Sequence, residues 1–192
     1  MPQEAQPRQL IVEAAQELFA RFGLAKTTMA DIARACGKGK SSLYYYFASK
    51  EQVFTAVIDQ EMSGLKNSIA RAVAKADTPR KKLRAFAMAR LIYLGQKADH
   101  YTAIKEEHLR HYGFIEGLIR EYSHWELQFI QGILQDGLEQ NHFRPLDPPK
   151  VARALFFALK GFEYPWITSI SQREMKRTVD VLLEVIFQGI AR

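Results

Sequence analysis

The feature that most constrains the fold is a pair of short amphipathic segments between Thr28 and Phe47. Apolar side chains in the first segment recur at i, i+3, i+4 and i+7 from Met29 onward, the spacing of one helix face. Two glycines interrupt the pattern, and Leu43 and Phe47 then lie four residues apart. Helices this short are unstable alone. The stretch therefore predicts a helix-turn-helix held by neighbouring helices, with a polar edge offered to a large anionic partner.

Hydroxyl, amine and aromatic side chains mark the outer edge of this motif. Lysine reaches phosphates or guanine edges, serine bonds bases or phosphates, and tyrosine packs on thymine methyl groups or reaches the DNA backbone. The residues for which we expect DNA contacts are Thr27, Thr28, Lys38, Gly39, Lys40, Ser41, Ser42, Tyr44 and Tyr45. The alternative is that the tyrosines are packing residues and the lysines are solvated surface.

Length and charge agree with a globular protein that has an acidic partner. The chain has 192 residues and 47% hydrophobic content, enough for one or two domains with a core. Its 27 Lys and Arg exceed its 21 Asp and Glu, which favours an anionic partner. A single cysteine and the absence of a leader-like start lead us to expect a cytoplasmic protein. No apolar run approaches the roughly 20 residues that span a bilayer, so we expect no membrane insertion.

Turn and capping residues divide the rest of the chain into helices. Proline suits the first turn of a helix, Ser, Thr and Asp suit the residue before it, and Gly or Asn suits its end. These signals predict helix starts at Thr28, Ser49, Pro79 and Asp147, and helix ends at Gly23 and Asn141. No segment alternates with period two over several residues, so we predict an all-α protein of about nine helices.

Several linked motifs in the first third of the chain indicate a family. These motifs are IVEAAQELFARFG, TTMADIARACG, LYYYF and SKEQVF. Together, from about Leu10 to Val57, they resemble the amino-terminal domain of TetR-family transcriptional regulators. The resemblance implies a helix-turn-helix DNA-binding domain over residues 1–48 and a helical effector-binding and dimerisation domain over residues 49–192. It also implies ligand-responsive repression, with activation or effector-independent regulation as the alternative.

The resemblance gives a DNA role to two more residues. In this family the segment that matches Lys40 to Tyr46 lies in the major groove, which implies that Tyr46 gives its hydroxyl to a phosphate and that Lys50 holds the DNA backbone. The turn departs from the family pattern, because Lys38 and Gly39 replace a small apolar residue and a serine. Glycine caps a helix nearly as well as serine, so we expect the fold to survive and Lys38 to contact a phosphate.

The second domain is rich in large aromatic side chains. Pockets for small ligands combine apolar walls with a few polar groups, so this composition favours a cavity for a small apolar or aromatic effector. The candidate lining residues are Tyr93, Tyr101, His108, Tyr112, Trp125, Phe129 and Tyr164. The alternative, which applies to most of the aromatic residues, is core packing.

The last two helices read as apolar around most of their circumference, which is more than one protomer of this size can bury. The resemblance implies a homodimer with a four-helix interface, and two-fold symmetry then implies an inverted-repeat operator in double-stranded DNA. The candidate interface residues are Leu155, Phe156, Leu159, Phe162, Val181, Leu182, Val185 and Ile186.

Other polar groups have simpler explanations. Glu107, His108 and His111 make too small a set for a metal site, so we predict no metal and no cofactor. Cys36 is expected to be a small buried hydrophobe. A basic run is expected to be solvated helix surface; it consists of Arg80, Lys81, Lys82 and Arg84.

Two other classes of protein are weighed against a DNA-binding regulator. An all-helical enzyme would need a nucleophile with an adjacent base or a full metal site, and the sequence shows neither. A helical adaptor that binds only protein would have no use for a Ser, Lys and Tyr edge on the second short helix. We therefore expect a DNA-binding regulator without enzymatic activity.

Overall fold

The computed structural model describes residues 6–97, 113–162 and 171–190, apart from the side chains of residues 113–116, 172 and 190. These residues form eight α-helices, and the described ranges contain no extended strand, which confirms the all-α prediction. The helices are α1 (Pro7–Lys26), α2 (Met29–Ala35), α3 (Lys40–Tyr46), α4 (Lys50–Val73), α5 (Pro79–Gln96), α6 (Gly113–Glu139), α7 (Pro148–Gly161) and α8 (Gln172–Ile190).

Contacts divide the chain into two compact units. The first unit contains the residues up to Ser63, together with Lys97 and the start of α6 up to Ile119. The second unit contains Gly64 to Gln96 and the chain from Arg120 onward. α4 is one continuous helix that contributes to both units, and the domain boundary after residue 48 stays a prediction.

The first unit is a small helical core around the helix-turn-helix. α1 packs on α2, and α2 packs on α3. Phe19 of α1 meets Phe54 of α4 edge to face, with ring centroids 5.2 Å apart. Ile11 and Ile32 are completely buried in the same cluster. The first unit thus holds the two short helices between α1 and α4, as their apolar spacing predicts.

Backbone conformation confirms two of the predicted helix ends. Gly23 has φ 77°, in the left-handed region that suits glycine, and the helical geometry of α1 breaks there. One short turn follows the break, and it places Leu24 in the core. Asn141 has φ 58° just after α6, the conformation in which asparagine commonly ends a helix.

Side-chain caps begin the helices where the sequence predicts them. The N–H of Lys150 donates to Asp147 before α7, at 3.2 Å. Before α4, the N–H of Gln52 donates to the Ser49 hydroxyl at 3.4 Å. In a regular capping box the side chain of Gln52 would accept from the N–H of Ser49. Here it accepts from the N–H of the preceding residue, Ala48, at 2.9 Å.

In the second unit, the prediction that the last two helices are apolar around most of their circumference is wrong. Each helix is amphipathic, with one apolar stripe that packs inside the protomer. The buried stripe of α8 has a spacing of four residues and consists of Met175, Val179, Leu183 and Phe187. The stripe of α7 has the i, i+3, i+4, i+7 spacing and consists of Ala152, Leu155, Phe156 and Leu159.

The basic run on α5 lies on the surface, as predicted, and part of it binds α8. The guanidinium of Arg84 donates to both carboxylate oxygens of Asp180, at 2.7 and 2.8 Å. These hydrogen bonds hold the pKa of Arg84 above its usual value. Arg80 pairs with Glu184 one turn away. Exposed pairs of this kind contribute at most about 1 kcal/mol each, so they orient α8 more than they stabilise it.

Two glycines of α6 provide a matched test of packing. A Cβ added at Gly137 would collide with the buried Phe143 ring and lie 3.1 Å from Cβ of Pro79, whereas a Cβ at Gly132 meets nothing within 4 Å. We expect Gly137→Ala to lower the free energy of unfolding by about 1–3 kcal/mol through overpacking. Gly132→Ala should raise it by about 0.5–1 kcal/mol through helix propensity. Chemical denaturation measures both, and equal effects would contradict this packing.

Candidate nucleic-acid interface

The short helix α3 presents two different sides. Leu43 is 0% exposed and Phe47, just after the helix, is 3% exposed, so the apolar side is fixed in the core. Tyr44 is 46% exposed and Tyr45 is 84% exposed. The remaining predicted contacts on α3 are also exposed and precede the tyrosines: Lys40, Ser41 and Ser42. Five of the six predicted contacts of α3, residues 40–42, 44 and 45, are thus exposed, and the sixth, Tyr46, is partly buried.

The turn between α2 and α3 explains why the unusual Lys38-Gly39 pair is tolerated. Gly37 has φ 64°, and its N–H donates to the carbonyl of Arg34 at 3.2 Å. The N–H of Lys38 donates to the carbonyl of Ala33 at 2.9 Å. These two bonds form a Schellman motif, which needs glycine at position 37 but makes no demand on the side chain of Lys38. Gly39 begins α3 without a side-chain cap.

Thr28 and Asp31 form a complete capping box at the start of α2. The N–H of Asp31 donates to the Thr28 hydroxyl at 3.2 Å, and the N–H of Thr28 donates back to the Asp31 carboxylate at 3.1 Å. The Thr28 hydroxyl also donates to this carboxylate, at 2.6 Å. The hydroxyl and the backbone N–H together hold the pKa of Asp31 below its usual value. Thr28 itself is exposed.

Thr27, in contrast, is not placed to contact a phosphate. The residue is 2% exposed, and its hydroxyl donates to the carbonyl of Gly23 at 2.7 Å. The hydroxyl therefore satisfies a backbone carbonyl where the geometry of α1 breaks. We assign Thr27 an internal role in place of the predicted DNA contact.

Lys50 is half-buried and also serves the protein itself. Its ammonium donates to the carbonyl of Leu24 at 2.6 Å and lies 3.4 Å from the carbonyl of Ala25. A lysine at this position satisfies carbonyls at the end of α1 and ties α1 to the first turn of α4. The contact of Lys50 with the DNA backbone stays a prediction.

Aromatic contacts support the end of α3. The ring of Tyr46 is partly buried against the core and meets Tyr45 at 87° with centroids 5.1 Å apart. The guanidinium of Arg8 lies 4.9 Å from the centroid of Phe47. The sequence reasoning missed Arg8, because only the fold brings the first turn of α1 over the residue that follows α3. Arg8 adds an exposed positive charge beside α3.

The charge of this edge suits an anion. Residues 38–47 include two lysines and no carboxylate. The nearby Asp31 carboxylate binds Thr28 and lies 3.7 Å from the guanidinium of Arg34, whose side chain is 81% exposed. The edge therefore combines positive charge, hydroxyl groups and flat aromatic rings, which are the groups that contact DNA phosphates and bases.

The described effector candidates lie in the second unit among packed aromatic rings. The ring of Trp125 contacts that of Phe129, with centroids 5.1 Å apart, and stacks on that of Tyr122, with centroids 5.9 Å apart. The ammonium of Lys66 lies 5.4 Å from the centroid of Trp125. The half-buried Tyr93 places its hydroxyl against the backbone of α4. Four other effector candidates lie outside the described residues: Tyr101, His108, Tyr112 and Tyr164.

A buried ion pair beside these rings was not predicted. Nε of Arg90 on α5 donates to Oε1 of Glu126 on α6, and the side chains are 1% and 0% exposed. Buried charges of this kind fix the relative position of two helices more than they stabilise them. The sequence gives a weak signal for the pair, since Glu126 follows Tyr122 by one helical turn on an apolar side of α6.

The dimer candidates separate into buried and exposed residues. Leu155, Phe156 and Leu159 are 2–7% exposed, so they form the core of the protomer and not its surface. Val181 and Val185 are 64% and 63% exposed. The other candidates, Phe162, Leu182 and Ile186, are partly exposed. The prediction missed one residue that is 64% exposed, Phe157. The helical period could have identified it, because it falls outside the buried stripe of α7.

The remaining predictions concern metal, thiol and membrane. No group of three potential ligands for a metal occurs in the part of the chain that the structure describes, and Glu107, His108 and His111 lie outside it. Cys36 is partly buried against the first-unit core, and its thiol lies 3.5 Å from the carbonyl of Ala33. Among residues 6–97, 113–162 and 171–190, no helix has the length and apolar character needed to cross a membrane.

Known proteins resemble the chain in its sequence and fold. Residues 11–57 match the model of the bacterial regulatory proteins of the tetR family. The chain is 28% identical to the HTH-type transcriptional repressor KstR2 of Mycolicibacterium smegmatis, over 74% of this chain and 70% of that protein. It is 22% identical to the fatty acid metabolism regulator protein of Bacillus subtilis, over 94% and 93%.

A solved structure has a similar fold. The fatty acid degradation regulator FadR from Bacillus halodurans superposes with a TM-score of 0.78 at 20% identity, and the match covers 94% of this chain and 96% of that one. The relatives are named as transcription regulators and not as enzymes. The helix-turn-helix geometry and the match over residues 11–57 lead to one conclusion: the chain carries the DNA-binding domain of the TetR family of transcriptional regulators.

Proposed function

We propose that this protein is a cytoplasmic repressor that binds an inverted-repeat operator as a homodimer and leaves it when a small apolar effector binds the second unit. The exposed edge of α3 carries this proposal. Leu43 and Phe47 are buried beneath it, while the outer side chains include lysine, serine and tyrosine and no carboxylate. An edge with this chemistry suits the major groove of double-stranded DNA.

The side chains of the edge divide the work of recognition. Lys40 reaches a phosphate or the O6 and N7 atoms of guanine, and Ser41 and Ser42 bond bases or phosphates. Tyr44 and Tyr45 pack on thymine methyl groups or reach the backbone. Lys38 follows the turn, where the Schellman bonds engage only its backbone N–H, so its ammonium serves as a phosphate contact.

An exposed apolar surface on α7 and α8 supports the homodimer. Phe157, Val181 and Val185 are each more than 60% exposed in one protomer. A two-fold axis through this surface would bury the same side chains from both copies, and burial of such apolar area is the main driving force of association. The two-fold axis also relates two copies of α3, which leads to an operator with two inverted half-sites.

Relatives and packing support an effector with an apolar body. One relative is named a fatty acid metabolism regulator, and a structural relative is named a fatty acid degradation regulator. In this chain, the rings of Phe86 and Phe129 stack with centroids 5.7 Å apart, and Phe129 in turn contacts Trp125. An effector dissociates the complex only if it binds better to the form of the protein that does not fit the operator.

The first experiment is a gel shift with the DNA upstream of the protein's own gene. We expect a retarded complex that competitor DNA lacking an inverted repeat does not remove. A panel of long-chain acyl thioesters, steroids, aromatic acids and quaternary amines should contain a compound that dissolves the complex and raises the melting temperature of the protein. Failure to retard any upstream fragment would contradict DNA binding, and a panel without effect would contradict the effector.

The salt dependence of the complex tests the lysines of the turn. Each phosphate contact removed should reduce the slope of log K against log salt concentration by about one. We therefore expect Lys38→Ala and Lys40→Ala each to flatten the slope by that amount when binding is titrated by fluorescence anisotropy. Lys81→Ala, an exposed lysine on α5 that pairs with Asp77, should leave it unchanged. An unchanged slope in either turn variant would refute that contact.

Sedimentation tests the dimer. The double variant Val181→Glu with Val185→Glu places four carboxylates, two from each protomer, at the proposed interface. Because these charges repel one another, the variant should sediment as a monomer at micromolar concentration. Both positions are exposed in the protomer, so the two substitutions should not disturb packing inside it, and the monomer should stay folded. Lys75→Glu, at an exposed site after α4, should remain dimeric. A monomeric parent protein would show that the dimer prediction is wrong.

A further inference from the structure

The buried ion pair of the second unit leaves one carboxylate oxygen without a hydrogen bond. Nε of Arg90 on α5 donates to Oε1 of Glu126 on α6. Oε2 of the same carboxylate has no hydrogen-bond partner among the described residues, although the side chain of Glu126 is 0% exposed. Buried polar atoms of proteins nearly always have a partner, whether a protein group, a water molecule or a ligand. Oε2 of Glu126 is therefore an acceptor to which a small bound molecule can donate.

Aromatic rings with accessible surface lie next to this carboxylate. Trp125 precedes Glu126 in the chain, and Phe129 follows it by nearly one turn of α6. The two rings contact each other and each residue is half-buried, whereas Glu126 is completely buried. Sites for small ligands combine apolar walls with a few fixed polar groups, and the bond from Arg90 fixes the orientation of this carboxylate. The rings and Oε2 thus have the composition of a ligand site.

The charges near Glu126 favour a donor that carries no charge of its own. Arg90 supplies one cation, and the ammonium of the half-buried Lys66 on α4 lies 5.4 Å from the centroid of Trp125. A ligand ammonium at Oε2 would add another positive charge beside these two cations, where burial strengthens repulsion. A ligand carboxylate has no proton to donate at neutral pH and repels Glu126. A hydroxyl group donates one hydrogen bond and adds no charge.

We infer that Glu126 is the polar anchor of the effector site, and that the effector is an apolar molecule with a neutral hydrogen-bond donor, such as a hydroxyl group, that binds Oε2. The inference rests on the proposed function, because it names the class of effector that the second unit takes. The apolar body of the molecule packs against the rings of Trp125 and Phe129, and its donor satisfies the buried oxygen.

Binding of matched probes to the full chain, measured by calorimetry without DNA, tests this anchor. Cyclododecanol should bind at least about tenfold more tightly than cyclododecanone, because only the alcohol donates to a carboxylate. For the same reason, para-butylphenol should bind at least about tenfold more tightly than para-butylanisole. Among unbranched probes, decanol should bind more tightly than decanoate or decylammonium, because the charges of these two head groups do not suit the anchor.

The fluorescence of Trp125 shows where a probe binds. Trp125 is one of two tryptophans, so Trp166→Phe leaves it as the only one. In this variant, cyclododecanol should change the emission of Trp125 with the same dissociation constant that calorimetry gives. An unchanged emission at saturation would place the probe elsewhere and would contradict the anchor.

A single substitution should alter the preference without removing binding. In Glu126→Gln, the amide oxygen accepts the bond from Arg90, and the NH2 group lies where Oε2 was. Because the ketone accepts a hydrogen bond from this group, cyclododecanone should bind more tightly than in the parent, and the preference for the alcohol should fall to within about twofold. Glu121→Gln, which changes an exposed carboxylate of α6, should keep the parent preference. If the melting curve shows that Glu126→Gln does not fold, the comparison of probes in the parent protein decides alone.

The inference and the proposed function fail in different ways. The anchor is overturned if alcohol and ketone bind the parent equally, which is the result expected if a fixed water molecule already satisfies Oε2. It is also overturned if no probe binds, if decanoate or decylammonium binds better than decanol, or if a folded Glu126→Gln keeps the parent preference. If the preference is found but no donor probe releases operator DNA in the gel shift, the anchor stands and effector-released repression fails. If the protein retards no operator DNA, the proposed DNA binding fails whatever the probes show.

Discussion

The exposed edge of α3 depends on the burial of two apolar side chains under a helix that has little stability of its own. α3 has seven residues, too few for its internal hydrogen bonds to keep it helical in water. Burial of Leu43 and Phe47 contributes about 1.5–3 kcal/mol for each side chain and fixes which side of the helix faces outward. Because α3 cannot rotate without exposing them, its tyrosines and serines are presented in one orientation.

The polar residues near α3 fall into two groups that their side-chain chemistry alone does not distinguish. Thr27 and Lys50 satisfy carbonyls at the end of α1. Thr28 caps α2 but stays exposed, and the Schellman bonds at Gly37 engage only the backbone of Lys38. The internal group holds the frame, whereas DNA contacts by Thr28 and Lys38 stay a prediction that the frame leaves possible. Rigidity of the frame matters because base contacts require side chains held in register with the duplex.

Much of this organisation could be predicted from the sequence, since it depends on local periodicity and local capping. The helix starts at Thr28, Pro79 and Asp147 and the exposed edge of α3 follow from spacing and residue type. Long-range contacts could not be predicted in this way. A buried position for Thr27 and an ion pair between Arg90 and Glu126 depend on which helices meet, and a single sequence does not contain that information.

The surface of α7 shows a different limit of sequence reasoning. Leu155, Phe156 and Phe157 are three consecutive apolar residues, and composition cannot separate those that face the core from the one that faces out. The helical period separates them, because Leu155 and Phe156 continue the stripe that contains Ala152 and Phe157 does not. The apolar side chains that the protomer leaves exposed on these two helices are therefore fewer than the composition predicts, and the most exposed are Phe157 on α7 and Val181 and Val185 on α8.

Buried polar groups supply what apolar packing lacks in a protein made of helices. Apolar stripes with four-residue spacing still pack after small shifts along the helix axis, so burial alone defines direction weakly. The buried Glu61 of α4 and the Arg90–Glu126 pair each favour one arrangement of the helices that carry them, because a buried charge is stable only with its polar partners in place. A regulator must hold one geometry and be able to leave it, and contacts that are costly to disturb at a few points suit that requirement better than a uniformly apolar core.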